Sequence, residues 1–500
     1  MRQRCRILSS LCAVLLVLAP SFIVYGAQPV GPGGTQSVLQ VKAGLVDIGF
    51  SHAHQSIRIG FIDTGISAKH LNGAQVAVGK NYVFPERDTQ DRDGHGTATA
   101  GMVLGSEELG IKGSCPEAVA VPLVTIDKYA TGIVNKGDVS VMCQAIYDAV
   151  DVYGCRVVNM SMGVTEDAEE LRRAVEYAES RGVVVVSAVG NDNALYPDRT
   201  YYPAGYPTVI GVGAAESLLA ESFDSADRAV GGWKVAEFSQ RSGVSVLADG
   251  YRLATVTNRN AAEAALRSGT SYACAAVAGL CAQLLTDAPS LRPAEVRAIL
   301  FAEAKELGAA GLDAASGWGV VGLGVPSTEN VTRGMLVAFL YESAGRPLDN
   351  ATGSIANLYG LAGGPWISVA GSFANSGVGF EDVPADSYYA QAVAWTVEEG
   401  IVRGYSATHF GPLDAVSREQ MAVIMENYTR AQGFDGSCRG DIGSFIDEKA
   451  VSDWARGSVA WAVENGLIQG KGGGVLDPAG TITREEAGLI LRRLWDEKLQ

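Results

Sequence analysis

The chain has 500 residues, of which 47% are hydrophobic and 19% are charged. A globular chain of this length exceeds a single ordinary core, so two or three domains are expected. The formal net charge of -16 disfavours a nucleic-acid partner, because an acidic surface cannot neutralise a phosphate backbone. The same charge suits an acidic, solvent-exposed protein.

The N-terminus has the pattern of a secretory signal peptide. Three arginines precede an apolar run, and the small residues Gly26 and Ala27 follow it. The alternative is a membrane anchor, but Ser and Pro residues interrupt the run, which is short for a full span. We therefore predict that residues 1–27 are a cleaved signal peptide, and that no transmembrane segment remains after cleavage.

Eight cysteines are present, two of which, Cys5 and Cys12, lie in the predicted signal peptide. The others show neither a dense disulfide framework nor zinc-ligand spacing, although export would permit disulfides. Cys274 and Cys281 fall on one predicted helix, two turns or about 10 Å apart, which is too far for a disulfide. We expect both to be buried free thiols.

Residues 57–325 alternate near-continuous hydrophobic runs with amphipathic stretches. The runs are rich in Val and Ile, as expected for strands covered on both faces. They are IRIGFID, AVAVPLVTI, CRVVNMSM, GVVVVSAVG and TVIGVGA. Helical patterns between them cover 139–154 and 168–182, and the second ends in a basic turn followed by Gly182. This order predicts an α/β fold, a parallel sheet flanked by helices.

Four polar residues stand at strand ends or helix starts of this pattern. They are Asp63 in GFIDTGIS, His95 in DGHGTATAG, Asn191 in VVVVSAVGNDN and Ser271 in SGTSYACAAVAGL. Taken singly, each has a structural explanation: a turn cap, a satisfied histidine, a loop residue or a helix N-cap. Taken together, they occupy the positions where an open α/β sheet places its ligands.

These residue types form the set that acyl transfer requires. A serine hydroxyl is a weak nucleophile until an imidazole removes its proton. The imidazole in turn needs a buried carboxylate that fixes its tautomer and stabilises its charge. The Asn191 amide and the Ser271 backbone N–H are suitable donors to the oxyanion of a tetrahedral intermediate. We therefore predict nucleophilic catalysis at Ser271.

Residues 36–325 resemble the subtilase family of serine proteases in these four motifs and in the segments SVLQVKAGLVDIGF, YYPAGYPTVIGVGA and AEFSQRSG. The resemblance implies a subtilisin-like peptidase domain over 28–325. It also implies that Asp63, His95 and Ser271 are catalytic and that Asn191 is the oxyanion donor. The substrate-binding residues it implies are Ser161, Met162, Gly163, Ala188, Gly190 and Tyr201. The first three would pair with an extended peptide substrate by strand addition.

The chain departs from the family pattern beside two catalytic residues. Ala98 and Thr99 follow Thr97 where the family usually has a second histidine, and Tyr272 follows the nucleophile where Met or a small residue is usual. Neither change removes a catalytic atom.

No cofactor is predicted. The loop GSEELGIKG lacks the Asn-rich pattern of the family's tight calcium site, so calcium is not expected there. Asp88, Asp91 and Asp93 cluster before His95. A weak cation site is one interpretation of this cluster, but a solvated acidic loop is favoured.

Tyr201 falls where the family often has Gly, at the base of the pocket for the residue before the scissile bond. A bulky ring there would shrink the pocket and favour small residues such as Ala. In the alternative, the ring points away and the pocket stays open. The sequence does not choose between these two outcomes.

The C-terminal region contains an internal repeat. AVAWTVEEGIVRGY recurs as SVAWAVENGLIQGK and VSREQMAVIM recurs as ITREEAGLIL, both at an offset of 66 residues, and VTRGMLVAFL is a third copy of the second half alone. These repeats resemble S-layer homology modules. The predicted organisation is a truncated repeat at 326–345, a Gly/Ser-rich linker at 346–379, and two whole, mostly helical repeats at 380–432 and 444–495.

The resemblance implies that the repeats hold cell-wall polysaccharide through Arg333, Arg418 and Arg484. The alternative is a structural role, in which the helices only stabilise the tail.

The sequence therefore predicts a secreted endopeptidase of the bacterial cell surface that acts on peptide or protein substrates. A competing hypothesis is a catalytically inactive, protease-like surface-binding protein, and a third is an intracellular peptidase. The intact four-residue set opposes the second, and the signal peptide and wall-type repeats oppose the third.

Overall fold

The computed structural model of the chain describes residues 56–72, 75–127, 138–218, 232–259, 263–322, 328–346, 348, 379–434, 437 and 440–498. The predicted signal peptide, nearly all of the predicted linker, the segment SVLQVKAGLVDIGF and Cys438 lie outside these ranges.

Strands are confined to the first half of the described residues. They are β1 Arg58–Asp63, β2 Lys80–Asn81, β3 Val119–Val124, β4 Val157–Met160, β5 Val184–Ala188, β6 Ile210–Ser217, β7 Trp233–Val235, β8 Val246–Asp249, β9 Leu253–Thr255 and β10 Ala265–Arg267. The α-helices are α1 His95–Leu104, α2 Val139–Asp151, α3 Glu169–Ser180, α4 Thr270–Asp287, α5 Pro293–Glu303, α6 Arg333–Ser343, α7 Ala390–Glu398, α8 Arg418–Ala431, α9 Arg456–Glu464 and α10 Arg484–Lys498. Short 3₁₀ turns cover Ala68–His70 and Glu448–Ala450.

One large sheet organises the N-terminal half. Its strand order is β2-β3-β1-β4-β5-β6-β7, and β8 also pairs with β6. All of these pairs are parallel except β6 with β7. The prediction of an α/β fold is confirmed. The five hydrophobic runs correspond to β1, β3, β4, β5 and β6.

Successive residues of the central strands enter opposite cores. Phe61 packs with residues of α1 and α4, whereas its neighbour Ile62 packs with residues of α2 and α3. Val157 and Val158 divide in the same way. This alternation follows from the two-residue period of a strand and explains why the runs are apolar on both faces.

Helix α5 is buried on every side. All residues from Pro293 to Ala302 are buried, because α5 packs against α6 and α10 as well as against α4. Trp318 is fully buried beside it, with ring centroids 4.9 Å from Phe339 of α6 and 5.2 Å from Tyr388. One hydrophobic core therefore runs from the sheet into the tail. The predicted boundary at residue 325 does not separate two cores.

Candidate active site

Three elements bring the predicted catalytic residues to one edge of the sheet. Asp63 is the last residue of the central strand β1, His95 is the first residue of α1, and Ser271 is the second residue of α4. The carboxyl ends of parallel strands and the starts of the following helices meet at this edge. Separation along the chain is therefore no obstacle to their convergence.

The carboxylate of Asp63 is held by three donors. His95 Nδ1 lies 2.7 Å from Asp63 Oδ1, which also accepts from the backbone N–H of Thr64 at 2.7 Å. The hydroxyl of Thr99 donates to Asp63 Oδ2 at 3.1 Å. Because Asp63 is fully buried, these bonds fix the carboxylate against the imidazole and select the tautomer with its proton on Nδ1. Thr99, a departure from the family pattern, thus contributes to the site.

Asp91 corrects the prediction of a solvated acidic loop, since its side chain is only 3% exposed. Its Oδ1 accepts from the Thr64 hydroxyl at 3.0 Å and from the Gly94 N–H at 2.8 Å. Its Oδ2 accepts from the N–H and hydroxyl of Thr97 at 2.9 and 2.6 Å. Asp91 therefore ties the loop before α1 to the end of β1 and positions His95. The sequence signal was a short acidic residue just before a helix start.

The pKa of His95 is raised from 6.5 to about 9. Burial of the ring is the largest influence and by itself lowers the pKa, since it disfavours the imidazolium. The charge of Asp63 and its hydrogen bond, together with the charges of Asp93 and Asp91, outweigh burial. These carboxylates therefore stabilise the imidazolium form of His95.

This pKa predicts the pH dependence of activity. Only the neutral ring accepts a proton, so kcat/KM should rise with pH through about 9. Because the folded-state pKa exceeds the ordinary 6.5, the ion pair stabilises the fold fully below pH 6.5 and loses this effect as pH rises through about 9. Asp93→Asn keeps an acceptor for the backbone N–H of His95 but removes the negative charge that raises the pKa of the ring. The acidic limb of the kcat/KM profile should therefore move to lower pH by a fraction of a unit.

Asp88→Asn serves as the matched control for this measurement. Asp88 belongs to the same loop but pairs with Arg92 at 2.9 Å in an exposed position. The kcat/KM profile of the control should equal that of the wild type. An unchanged limb in Asp93→Asn would contradict the electrostatic account of the His95 pKa.

Ser271 lies against the segment that follows β4. Its hydroxyl donates to the Ser161 carbonyl at 3.1 Å, and the Ser161 hydroxyl donates to the Ser271 carbonyl at 2.8 Å. The next residue, Tyr272, places its ring centroid 5.9 Å from that of His95. The Ser271 hydroxyl is therefore engaged with the Ser161 carbonyl, and the described residues show no hydrogen bond between this hydroxyl and His95.

Asn191 has one end of its amide fixed. Its Oδ1 accepts from the N–H and the hydroxyl of Thr270 at 2.8 and 3.0 Å. The Nδ2 group is therefore left to donate beside the start of α4, and it would lie 3.7 Å from a Cβ added at Gly269. This geometry suits the oxyanion role that the sequence predicts for Asn191.

The predicted substrate-binding residues line two neighbouring strand ends. Ser161, Met162 and Gly163 follow β4, while Ala188 ends β5 and Gly190 lies just beyond it. A Cβ at Gly163 would lie 2.7 Å from the Tyr202 carbonyl oxygen, so only glycine fits there.

The ring of Tyr201 packs onto Gly190. A Cβ added at Gly190 would lie 2.6 and 2.7 Å from two atoms of the ring, and one added at Gly163 would lie 3.5 Å from the Tyr201 Cβ. The Tyr201 hydroxyl donates to Asp192 at 2.8 Å. The Tyr201 ring thus lies beside Gly190, whereas only its Cβ lies near Gly163.

The repeat arginines lie at the junctions between modules rather than on open surface. Arg333 donates to the carbonyls of Phe410 at 3.0 Å and Arg403 at 2.7 Å. Arg418 donates to the carbonyls of Leu476 at 2.8 Å and Gln469 at 2.6 Å, which lie 66 residues beyond the two partners of Arg333. Arg333 and Arg418 are each only 5% exposed, so both support the structural role that the sequence left open.

Arg484 completes this series with an unexpected partner. Its guanidinium donates to the carbonyls of Phe301 at 2.6 Å and Trp318 at 2.9 Å, and pairs with Glu306 at 3.1 Å. Its side chain is fully buried, which is incompatible with the predicted wall contact at this position. The helix pairs agree: α6 packs on α7, α8 on α9, and α10 on α5. Helix α5 of the catalytic region therefore supplies the half that the truncated repeat lacks.

The described residues contain no group of three or more His, Cys, Asp or Glu side chains suited to a metal ion. Within the same part of the chain, no helix is long and apolar enough to cross a membrane. Cys274 and Cys281 are both buried free thiols, as predicted.

Comparison with known proteins gives matches in both halves of the chain. Residues 54–319 match the subtilase family, and residues 379–422 and 444–487 match the S-layer homology domain. Subtilisin DY of Bacillus licheniformis is 35% identical over 260 residues, which are 51% of this chain and 85% of that protein.

The match to this chain covers smaller shares of two further relatives. Fervidolysin of Fervidobacterium pennivorans is 32% identical over 54% of this chain and 40% of that protein. Its crystal structure aligns with a TM-score of 0.47 at 29% identity, over 55% of this chain and 44% of that chain. The surface-layer 125 kDa protein of Lysinibacillus sphaericus is 37% identical over 24% of this chain and 10% of that protein.

Proposed function

Because this chain belongs to the subtilase family, we propose that it is a secreted, cell-wall-associated serine endopeptidase that hydrolyses peptide bonds through an acyl-enzyme. The observation that carries the proposal is the 2.7 Å bond between His95 Nδ1 and the buried Asp63, at the sheet edge where Ser271 lies in the first turn of α4. This bond leaves Nε2 of the ring to act as the base.

The proposed reaction begins when an extended peptide pairs with the edge at 161–163. The Ser271 hydroxyl turns from the Ser161 carbonyl toward His95, loses its proton to Nε2, and attacks the scissile carbonyl. The oxyanion accepts hydrogen bonds from Asn191 Nδ2 and the Ser271 backbone N–H. The imidazolium, stabilised by Asp63, protonates the leaving amine, and water activated by the same ring hydrolyses the ester.

Tyr201 supports a preference for a small residue before the scissile bond. The ring occupies space beside Gly190, where a larger substrate side chain would otherwise extend. We expect peptides with Ala at this position to be cleaved faster than matched peptides with Phe.

The surface attachment is proposed to use the exposed ring of Tyr405 beside Arg333. The guanidinium lies 4.6 Å from the ring of Tyr405, which is 50% exposed, and His409 stacks on that ring. An exposed aromatic ring beside polar groups suits a saccharide. Lys471 replaces Tyr405 at the corresponding position of the last repeat, so wall contact there would rely on a different side chain.

One experiment tests both parts of the proposal. The secreted protein is treated with a serine-directed fluorophosphonate probe and then mixed with purified cell walls. Wild type should be labelled and should sediment with the walls, whereas Ser271→Ala should sediment unlabelled. Tyr405→Ala should be labelled but should bind walls at least several-fold more weakly.

Tyr196→Ala is the control for the wall arm, because Tyr196 is 48% exposed but lies on the catalytic region. Absence of labelling in folded wild type would favour the inactive surface-binding protein. Unchanged sedimentation of Tyr405→Ala would exclude the exposed Tyr405 ring as the wall site.

A further inference from the structure

The residue after the proposed oxyanion donor is the centre of a compact polar network. Asp192 Oδ2 accepts from the Tyr201 hydroxyl and from Arg199 Nη1, each at 2.8 Å. Asp192 Oδ1 accepts from Gln240 Nε2 at 2.7 Å. Both carboxylate oxygens are therefore engaged, and three different segments of the chain meet at one side chain.

The other members of the network are themselves anchored. Gln240 is fully buried, and its side chain also donates to the Tyr196 carbonyl at 3.0 Å while its backbone N–H donates to the Gly190 carbonyl at 3.1 Å. The Arg199 guanidinium lies 3.5 Å from the centroid of the Tyr196 ring. Asp192 is thus fixed relative to the pocket-lining strand end, and it can hold a ring in place.

From this geometry we infer that Asp192, Arg199 and Gln240 form a latch that keeps the Tyr201 ring across the substrate pocket, so that these positioning residues set the preference for a small side chain before the scissile bond. The inference rests on the proposed endopeptidase function. This inference differs from one in which the size of the Tyr201 ring alone sets the preference. Without the hydrogen bond from its hydroxyl, the ring could move away from Gly190 when a larger substrate side chain enters.

The charge state of the network favours a latch that stays closed. Burial by itself raises the pKa of Asp192, but the bonds from Tyr201 and Gln240 and the charge of Arg199 together lower it. Asp192 therefore remains a carboxylate across the neutral and alkaline range, where His95 becomes a competent base.

The test uses two peptides that differ only in Ala or Phe before the scissile bond. Active enzyme is first counted by fluorophosphonate titration, and kcat/KM is then measured for both peptides. Tyr201→Gly removes the ring and should raise the Phe-to-Ala ratio by about 100-fold. Tyr201→Phe and Asp192→Ala keep the ring but break the latch, and each should raise the ratio by about 10-fold.

The matched control is Tyr177→Phe. The Tyr177 hydroxyl donates to Asp151 at 2.9 and 3.1 Å on the surface of α3, which reproduces the same chemistry away from the pocket. Its ratio should equal that of the wild type. If Asp192→Ala merely disturbed the neighbouring Asn191, kcat/KM would fall for both peptides and their ratio would not move.

The outcomes separate the two levels of inference. Ratios within twofold of wild type in both Tyr201→Phe and Asp192→Ala would overturn the latch, even if Tyr201→Gly opened the pocket. A folded wild type that does not react with the probe would instead overturn the proposed function, before any ratio is measured.

Discussion

Ending the chain at residue 325 is expected to unfold the catalytic region rather than release a free protease. The truncation removes α6 and α10, against which α5 packs, and exposes Trp318, which is now fully buried. Each large apolar side chain that is returned to water costs about 1.5–3 kcal/mol. Several such losses approach the whole stability of a typical domain, about 5–15 kcal/mol.

A buried ion pair adds to this loss. Arg297 of α5 is 1% exposed and bonds Glu342 of α6 at 2.6 Å, and it also pairs with Glu179 at 2.8 Å. Burial raises the pKa of Glu342, which the opposing charge of Arg297 only partly offsets. Removing Glu342 takes away a partner that sits inside the shared core.

Thermal unfolding followed by circular dichroism would measure this effect, with fluorophosphonate labelling as a second readout of the folded fraction. A chain ending at residue 345 is the control, because it keeps α6 and with it Glu342 and Phe339. This longer form should recover part of the stability. Equal unfolding midpoints for the 325-residue and full-length chains would show that α5 does not depend on the tail.

Removing the nucleophile or its base should abolish activity. Ser271→Ala and His95→Ala should each lower kcat by about 10⁶-fold, because the proton transfer and the attack form one event. Asp63→Ala should cost less, about 10⁴-fold, since the ring keeps its basic nitrogen but loses its fixed tautomer.

Non-additivity is the decisive part of this prediction. The double variant of Ser271 and His95 should be no slower than either single variant, because each already removes the same step. His409→Ala, which changes an exposed histidine of the tail, is the control and should retain full activity. Single-turnover kinetics would measure all of these, and multiplicative losses in the double variant would show that the two residues act independently.

The sheet was predictable because its strands are buried on both faces. Val157 and Val158 enter different cores, so the sequence carries no alternation, only a long apolar run bounded by turns. The ends of those runs also indicated the site, since Asp63 ends β1 and Asn191 follows β5.

The hydrogen bonds around the site were harder to predict from the sequence. The three acidic residues before His95 look alike in sequence, yet Asp91 is turned inward to bind Thr64 and Thr97. Which of several neighbouring carboxylates faces the core depends on backbone turns that composition does not encode. The role of Asp192 was not predictable from sequence either, because its buried partner Gln240 lies 48 residues further along the chain.

The missing half-repeat could not be located from the sequence. The repeats were found by their 66-residue offset, and α5, with the sequence PAEVRAILFAE, shows no such match. It fills that place through shape and apolar surface, which many different sequences provide. In sequence Arg484 is therefore indistinguishable from Arg333 and Arg418. Only its hydrogen bonds to the Phe301 and Trp318 carbonyls of the catalytic region set it apart.

Helix α5 packs against helices of both the catalytic region and the tail, so the two are not joined by a free hinge at α5. If the tail binds the cell surface as proposed, the site at Ser271 would be held in one orientation relative to that surface. A protease held in one orientation would cleave only those substrate chains that reach its active site in that orientation. Its choice of target would be governed by orientation at the surface as much as by the side chains that its cleft accepts.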